Sequence, residues 1–160
     1  MAKKDKKQKN SVDGGKTICE NRKARFEYEI AETFEAGVVL TGSEVKSLRA
    51  GKANLTDAYA DIRNEEAFLQ QAHIEPYEKG GYANHEPKRT RKLLLHRKEI
   101  SRLIGQTQAK GMSLVPLKMY LKNGLVKVLL GLGKGKKTID KRRTIKDREV
   151  KRDLDRAVKR

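Results

Sequence analysis

The clearest period along the chain is two. Val115, Leu117, Met119 and Leu121 alternate with Lys118, Tyr120 and Lys122, Asn123-Gly124 follows, and Val126, Val128 and Leu130 alternate back. Alternation of that length marks a half-buried strand, and Asn-Gly supplies the left-handed positions of a tight turn, so the segment predicts a β-hairpin. Pro116 has no N–H to give to a ladder, which predicts an edge position or a bulge there. Phe26-Glu-Tyr-Glu-Ile30 predicts another strand, entered through residues 21–25 and followed by a turn over 32–37. Residues 55–63 and 67–74 flank Asn64-Glu65-Glu66 and predict a second hairpin. The spacing turns helical twice. After the β-branched run Val38-Val39-Leu40, Ser43 takes the N-cap position of a short helix, with Glu44 in the first turn, where the helix dipole favours an anion. Val45 and Leu48 give that helix an apolar side, Lys46 and Arg49 a cationic one, and Gly51 a left-handed stop. Ile100, Leu103 and Ile104 predict a second helix over 96–109, with Gly111 just past its end.

Between these elements the chain is punctuated by charge and by breakers. Pro76 and Gly80-Gly81 interrupt the strands, so 75–88 reads as a long mobile loop. Lys88-Arg-Thr-Arg-Lys-Leu-Leu-Leu95 sets four cations ahead of three leucines, with the charges turned outward and the leucines anchoring. Residues 1–17 hold five lysines in their first nine positions and almost nothing apolar, which predicts a disordered basic arm before a β domain over 18–132. From Gly133 the chain reads as a flexible basic hinge. A helix-permissive tail follows to residue 160, with only a thin stripe of Ile145, Val150, Leu154 and Val158. Such a tail is disordered alone and orders against a partner.

Charge then selects the partner. Thirty-eight Lys and Arg against 21 Asp and Glu give a formal +17, which points to a polyanion, nucleic acid foremost. No apolar run is long enough to span a bilayer, and the basic helices lack the broad apolar face of an interfacial one. The lysine-rich start has no apolar secretory core, and Cys19 is the sole cysteine; both fit a reducing cytoplasm. Gly131-Leu-Gly-Lys-Gly-Lys-Lys-Thr138 does not have phosphate-loop spacing. His73, His85 and His96 fall in different elements without cysteines or carboxylates at ligand spacing, so neither a metal nor a cofactor is expected. With no compact carboxylate pair for two-metal or glycosidic chemistry, the pattern describes a binder and not an enzyme. Many strands, two short helices and basic edges suggest a small antiparallel barrel of the oligonucleotide-binding kind. Composition alone equally allows a ribosome-associated assembly factor.

Four stretches, taken in order, narrow this. Asn21-Arg-Lys-Ala-Arg25, residues 35–52 (Glu-Ala-Gly-Val-Val-Leu-Thr-Gly-Ser-Glu-Val-Lys-Ser-Leu-Arg-Ala-Gly-Lys), Arg91-Lys-Leu-Leu-Leu95 and Gly135-Lys-Lys-Thr-Ile-Asp-Lys-Arg142 together resemble the SmpB family of bacterial trans-translation. The resemblance runs from about residue 18 to the end. It implies a mainly β protein: a closed, oligonucleotide-binding-type antiparallel barrel with about three helices and a basic tail that becomes helical on the ribosome. Its implied partners are the tRNA-like domain of tmRNA, one copy of the chain per tmRNA, and the stalled ribosome. There the tail would enter the empty mRNA channel beside the vacant A site and its ribosomal RNA. By the resemblance, Asn21, Glu35 and Leu94 match tmRNA-binding positions, and Gly135, Lys136, Asp140, Lys141 and Arg142 match the ribosome-engaging segment, to which Lys137 is added. Ile139 fills a position where the family commonly has an aromatic residue or His. A carboxylate such as Glu35 can accept from base edges or 2′-hydroxyls, and a leucine can cover an unstacked base. Lys23, Arg25, Lys46, Arg49, Arg91 and Lys92 are further candidates for phosphate contacts, which position RNA without specifying its sequence.

Overall fold

The computed structural model describes residues 15–159. In chain order its elements are β1 (Lys16–Glu20), α1 (Arg22–Glu27), β2 (Tyr28–Val38), α2 (Gly42–Arg49), β3 (Ala53–Asn54), β4 (Tyr59–Arg63), β5 (Glu66–Gln70) and β6 (His73–Ile74). After a 3-10 turn at Gly81–Ala83 come β7 (Arg91–Leu94), α3 (Arg97–Ala109), β8 (Ser113–Lys122), β9 (Leu125–Gly135) and α4 (Thr138–Val158). The protein is mainly β, with seven strands in one antiparallel sheet ordered β1-β8-β4-β5-β7-β2-β9, and β8 and β9 paired as well. β3 and β6 form a separate two-stranded sheet.

The hairpins are where the alternation put them. Asn123 and Gly124 (φ 51° and 75°) turn β8 into β9, and Asn64 and Glu65 (φ 49° and 60°) turn β4 into β5, each using the paired left-handed residues that match strand twist. The β8–β9 register slips between Pro116 and Lys118, so the proline sits at a bulge as expected. The bulge leaves Met119 and Leu121 facing the core and Tyr120 facing out. A second slip between Ile30 and Glu32 lets Phe34 and Ala36 face inward while Tyr28 and Ile30 pack outside. The main core is Phe34, Ala36, Leu48, Leu69, Leu93, Leu103, Met119, Val128 and Leu130 with their neighbours. A smaller outer cluster of Val115, Leu117, Tyr120 and Leu129 lies under Ala24 of α1.

Several expectations are corrected. Residues 32–37 are no turn: they continue β2, held along the length of β9. Residues 22–27 form α1, capped by the Asn21 side chain, which accepts from the Ala24 N–H at 3.1 Å. Helix α2 is capped at Thr41, whose N–H donates to Glu44 at 2.8 Å, while the Ser43 hydroxyl turns to His85 at 2.9 Å. The loop over 75–88 is tied down. Asn84 brackets Tyr77 with two hydrogen bonds, the His85 ring spans Ser43 and the Ile74 carbonyl, and Lys52 pairs with Glu78 at 2.7 Å. Lys16 and Thr17 belong to β1; the rest of the expected basic arm, residues 1–14, lies outside the described residues. Gly133–Gly135 are no hinge, because they pair with Tyr28–Ile30 as the end of β9. A Cβ on Gly133 would meet the Glu29 carbonyl oxygen at 2.2 Å, so only glycine admits this close crossing. In the tail, Thr138–Val158 form a 21-residue helix, and none of its residues is buried. Its N-terminal end is held by the Lys136 N–H bonding to the Glu27 carbonyl at 2.7 Å.

Arg91 is fully buried, and so is its partner Glu44, 2.8 Å away. Arg89 closes on the same carboxylate at 2.9 Å, and Arg91 also donates to the Ala72 carbonyl at 2.8 Å. Burial alone would push the Glu44 carboxyl up. The Arg89 and Thr41 hydrogen bonds and the two guanidinium charges overcome it and hold the group down at about 2. Replacing Glu44 by Gln leaves Arg91 as a buried charge without its counter-ion, and a loss of about 3 kcal/mol in urea unfolding at pH 7 is expected. Because the folded-state pKa is depressed, the wild type's extra stability is present above the unfolded carboxylate value. It drains as pH falls from about 5 toward 2, and E44Q lacks that drop. Equal pH profiles for the two chains would contradict the assignment.

Candidate nucleic-acid interface

The registers decide which candidates meet. On β2, Glu35 and Gly37 point away from the core; opposite them on β9 stand Leu129 and Lys127, and opposite Gly37 on β7 stands Leu94. Lys127 is paired in turn with Tyr120 on β8, and Leu125 with Lys122. Lys92, two residues before Leu94, shares its outward side. One face of four adjoining strands therefore carries Glu35, Leu94, Lys92, Lys118, Lys122 and Lys127.

Glu35 is held and not free. The Tyr120 hydroxyl donates to Oε2, and Lys122 Nζ lies 3.4 Å from Oε1. The tyrosine bond, working against partial burial and aided by the Lys122 charge, keeps the carboxyl below the usual range. Burial and the neighbouring carboxylate push the Tyr120 hydroxyl up, so it stays a donor at neutral pH. With its orientation fixed and about a third of its side chain exposed, Glu35 keeps lone pairs for an outside donor. Leu94 is 54% exposed on the outward side of β7. It lies against Gly37, where an added Cβ would come within 3.2 Å of the Leu94 Cβ. The glycine makes room for the leucine to lie flat on the sheet.

The other candidates separate. Lys46 and Arg49 are exposed on α2, with Lys46 Nζ 5.2 Å from the centre of the Tyr77 ring. Lys23 and Arg25 lie on α1, where Lys23 sits within 4 Å of both Glu27 and Asp57. Two are removed from the surface altogether. Arg91 cannot reach a phosphate, because strand alternation turns it inward onto Glu44. Asn21 is 3% exposed, with its amide donating to the Leu55 and Pro116 carbonyls. Its physical role is to fix α1 and the β8 bulge beneath the outer cluster. Of the three leucines taken as anchors, only Leu93 is buried. In the tail, Gly135 ends β9, Lys136 and Lys137 form the bend, and Asp140, Lys141 and Arg142 occupy the first turns of α4. Sequence reasoning missed Tyr120, Lys122 and Lys127 as site residues, although the hairpin's own alternation places all three on the outward face. Cys19, half-buried on β1, has its thiol pushed up to about 11 by burial, against a backbone hydrogen bond from Met119, which makes it a poor nucleophile. No group of three metal-ligating side chains occurs among the described residues, and none of their helices is long and apolar enough to cross a membrane.

An antiparallel sheet presenting a fixed acceptor and an open leucine among lysines defines a polyanion-binding β protein. Comparison with known proteins narrows that class. The family model "SmpB protein" matches residues 18–160. The SsrA-binding protein of Shouchella clausii is 61% identical over 145 residues, covering 91% of this chain and 93% of the relative. That of Gloeothece citriformis is 62% identical over 153 residues, 94% and 99% of the two chains, and that of Bacillus subtilis 57% identical over 145 residues, 91% and 93%. A solved structure described as "tmRNA-SmpB: a journey to the center of the bacterial ribosome" superposes with a TM-score of 0.64 at 55% identity, over 75% of this chain and 85% of that one. The chain belongs to the SmpB family.

The hydrogen bond across β2 and β8 has a direct readout. In Tyr120→Phe the Glu35 carboxyl is expected to titrate at a higher pH than in the wild type, followed by carboxyl NMR. An unchanged titration would show that Tyr120 does not hold it.

Proposed function

We propose that this chain is an RNA-binding adaptor of trans-translation. It holds the tRNA-like domain of tmRNA on the outward face of β7, β2, β9 and β8 and escorts it, one copy per tmRNA, into the vacant A site of a stalled ribosome. The observation that carries this is the convergence of Glu35, Leu94 and Lys92 with Lys122 and Lys127 on one face. The names of its relatives, SsrA-binding proteins at about 60% identity, support the same reading. On this reading the chain works in the bacterial cytoplasm, and it binds and positions RNA without chemistry of its own. The return of β9 onto β8 is read as closure of an oligonucleotide-binding-type barrel, whose curvature presents the face convexly.

The roles follow from the chemistry. Lys92, Lys118, Lys122 and Lys127 meet phosphates. Glu35 accepts from base-edge or 2′-hydroxyl donors, and Leu94 covers the face of an unstacked base in a folded RNA loop. Lys46 and Arg49 extend the cationic track along α2. Asn21 supports the face from below, and Arg91 fixes β7 so that Leu94 and Lys92 project. Gly135, Lys136, Lys137, Asp140, Lys141 and Arg142 form the neck between the sheet and α4, which enters the mRNA channel against ribosomal RNA. From Gly133 to Arg160 the tail holds 13 bases against five acids, so phosphate contact offsets the ordering of a helix without a core.

Three outcomes check this reading. Affinity for the tRNA-like domain should fall with salt at a log–log slope of about −4 to −5, as about six neutralised phosphates require, and a flat titration would remove the electrostatic part. Glu35→Ala should weaken the cognate RNA more than a random RNA of equal length, since it removes an acceptor while adding net positive charge; equal losses would reduce Glu35 to a fold-supporting residue. A chain ending at Lys137, which spares the β9 pairing, should fold and bind tmRNA nearly as well as the full chain yet fail to support peptide tagging on stalled ribosomes. Normal tagging by the shortened chain would refute the division between sheet and tail.

A further inference from the structure

Helix α4 rests on α1 through little apolar contact. None of its residues is buried, and its side-chain hold on α1 is the Arg148 guanidinium, 5.6 Å from the centre of the Phe26 ring. Between the two helices runs an open cleft of about 420 Å³. Arg22 and Arg25 line it from α1, and Arg148, Lys151 and Arg152 from α4. Glu20 and Asp155 are the acids in its wall, five bases against two, for a net +3. None of the five bases forms an ion pair with another described residue. Like charges on facing helices repel, and here little buried apolar area offsets that repulsion. A helix seated over unpaired cations is a docked state completed by an anion between them.

We infer that the α1–α4 cleft is a second RNA site, which takes the phosphodiester backbone of a single strand, and that the strand filling it fixes α4 against α1. The inference rests on the RNA-binding reading but uses different residues, since the cleft is built from α1 and α4 and the sheet face from β2, β7, β8 and β9. Several features select a backbone over a base-reading pocket. The guanidinium groups come from two helices and match phosphate oxygens bidentately. The wall holds no aromatic ring on which a base could stack, Phe26 being covered by Arg148. An open cleft admits a continuing strand. Arg25 thereby gains partners that its own helix does not supply.

The test uses the full chain and an oligouridine of eight nucleotides. Saturating oligouridine should slow amide exchange across Thr138–Val158 several-fold. In Arg25→Gln/Arg152→Gln, which leaves the Arg148–Phe26 contact in place, that slowing should be lost and the salt slope of binding reduced by about 1.4, the single-strand value for two phosphates. Lys122→Gln/Lys127→Gln on the sheet face should keep the α4 response. Failure of oligouridine to bind, unchanged exchange in α4, or the same slowing in the Arg25→Gln/Arg152→Gln chain would overturn the proposal. Any of these leaves intact a chain that still binds the tRNA-like domain through Glu35. Loss of that binding with the α4 response preserved would instead count against the sheet-face reading alone.

Discussion

Arg91 and Glu44 have no exposure to solvent, and the pair they make joins two pieces of chain 47 residues apart in sequence. A charge in that position is tolerable only when its hydrogen-bonding capacity is filled. Arg91 therefore draws on the Ala72, Arg89 and Pro87 carbonyls, and Glu44 on Arg89 and the Thr41 N–H. These partners lie on α2, on the segment after β5 and on the approach to β7. Satisfying one buried ion pair sets the position of all three. The direction of β7 follows from this, and with it the outward aim of Lys92 and Leu94, so an interaction wholly inside the protein determines what the surface offers.

The outward face depends on a second constraint, the two slips of register. Without the bulge at Leu117, the period-two rule would turn Lys118, Tyr120 and Lys122 inward, on the side that Leu114 and Pro116 face. With it, Tyr120 points out and reaches Glu35 across β9. The face thus combines a carboxylate fixed by a neutral donor, a leucine lying on glycine, and lysines spaced by the strand repeat. Fixed groups lose little freedom when a ligand arrives, which favours recognition over general attraction. The cleft between α1 and α4 differs, because its cations are long, exposed and without an ion-pair partner among the described residues, and such groups attract phosphate without reading sequence.

Much of this was legible in the sequence where local chemistry decides. Asn123-Gly124 and Pro116 each carry a backbone requirement that names its structure, Asn64-Glu65-Glu66 marks a loop by its polarity, and the second helix was bounded by His96 and Gly111. What failed was decided at long range. Arg91 reads as one of four surface cations until the partner that buries it, Glu44, is brought from another element. Asn21 reads as a polar surface residue until its amide meets two carbonyls from distant segments. Glu32–Gly37 contains turn-prone residues, but β9 supplies a ladder along their whole length and overrides local preference. The loop over 75–88 looked loose because its breakers are visible in the sequence, whereas the Asn84 and His85 bonds that hold it are not. Of the candidate site, Glu35 and Leu94 were chosen by family resemblance and Lys92 as a cation suited to phosphate contact. That they share a face, and share it with Lys122 and Lys127, required the registers.

The central claim is that tmRNA is held by the outward face of four strands. Amide and side-chain NMR of the full chain, compared with and without the tRNA-like domain, tests it most directly. Shifts should gather at Glu35, Gly37, Lys92, Leu94, Tyr120, Lys122 and Lys127 and should leave Tyr59, Ala60 and Ile62 on β4 unchanged. Shifts centred on β4 and the adjoining end of α3, with the Glu35 and Leu94 signals unmoved, would contradict the account.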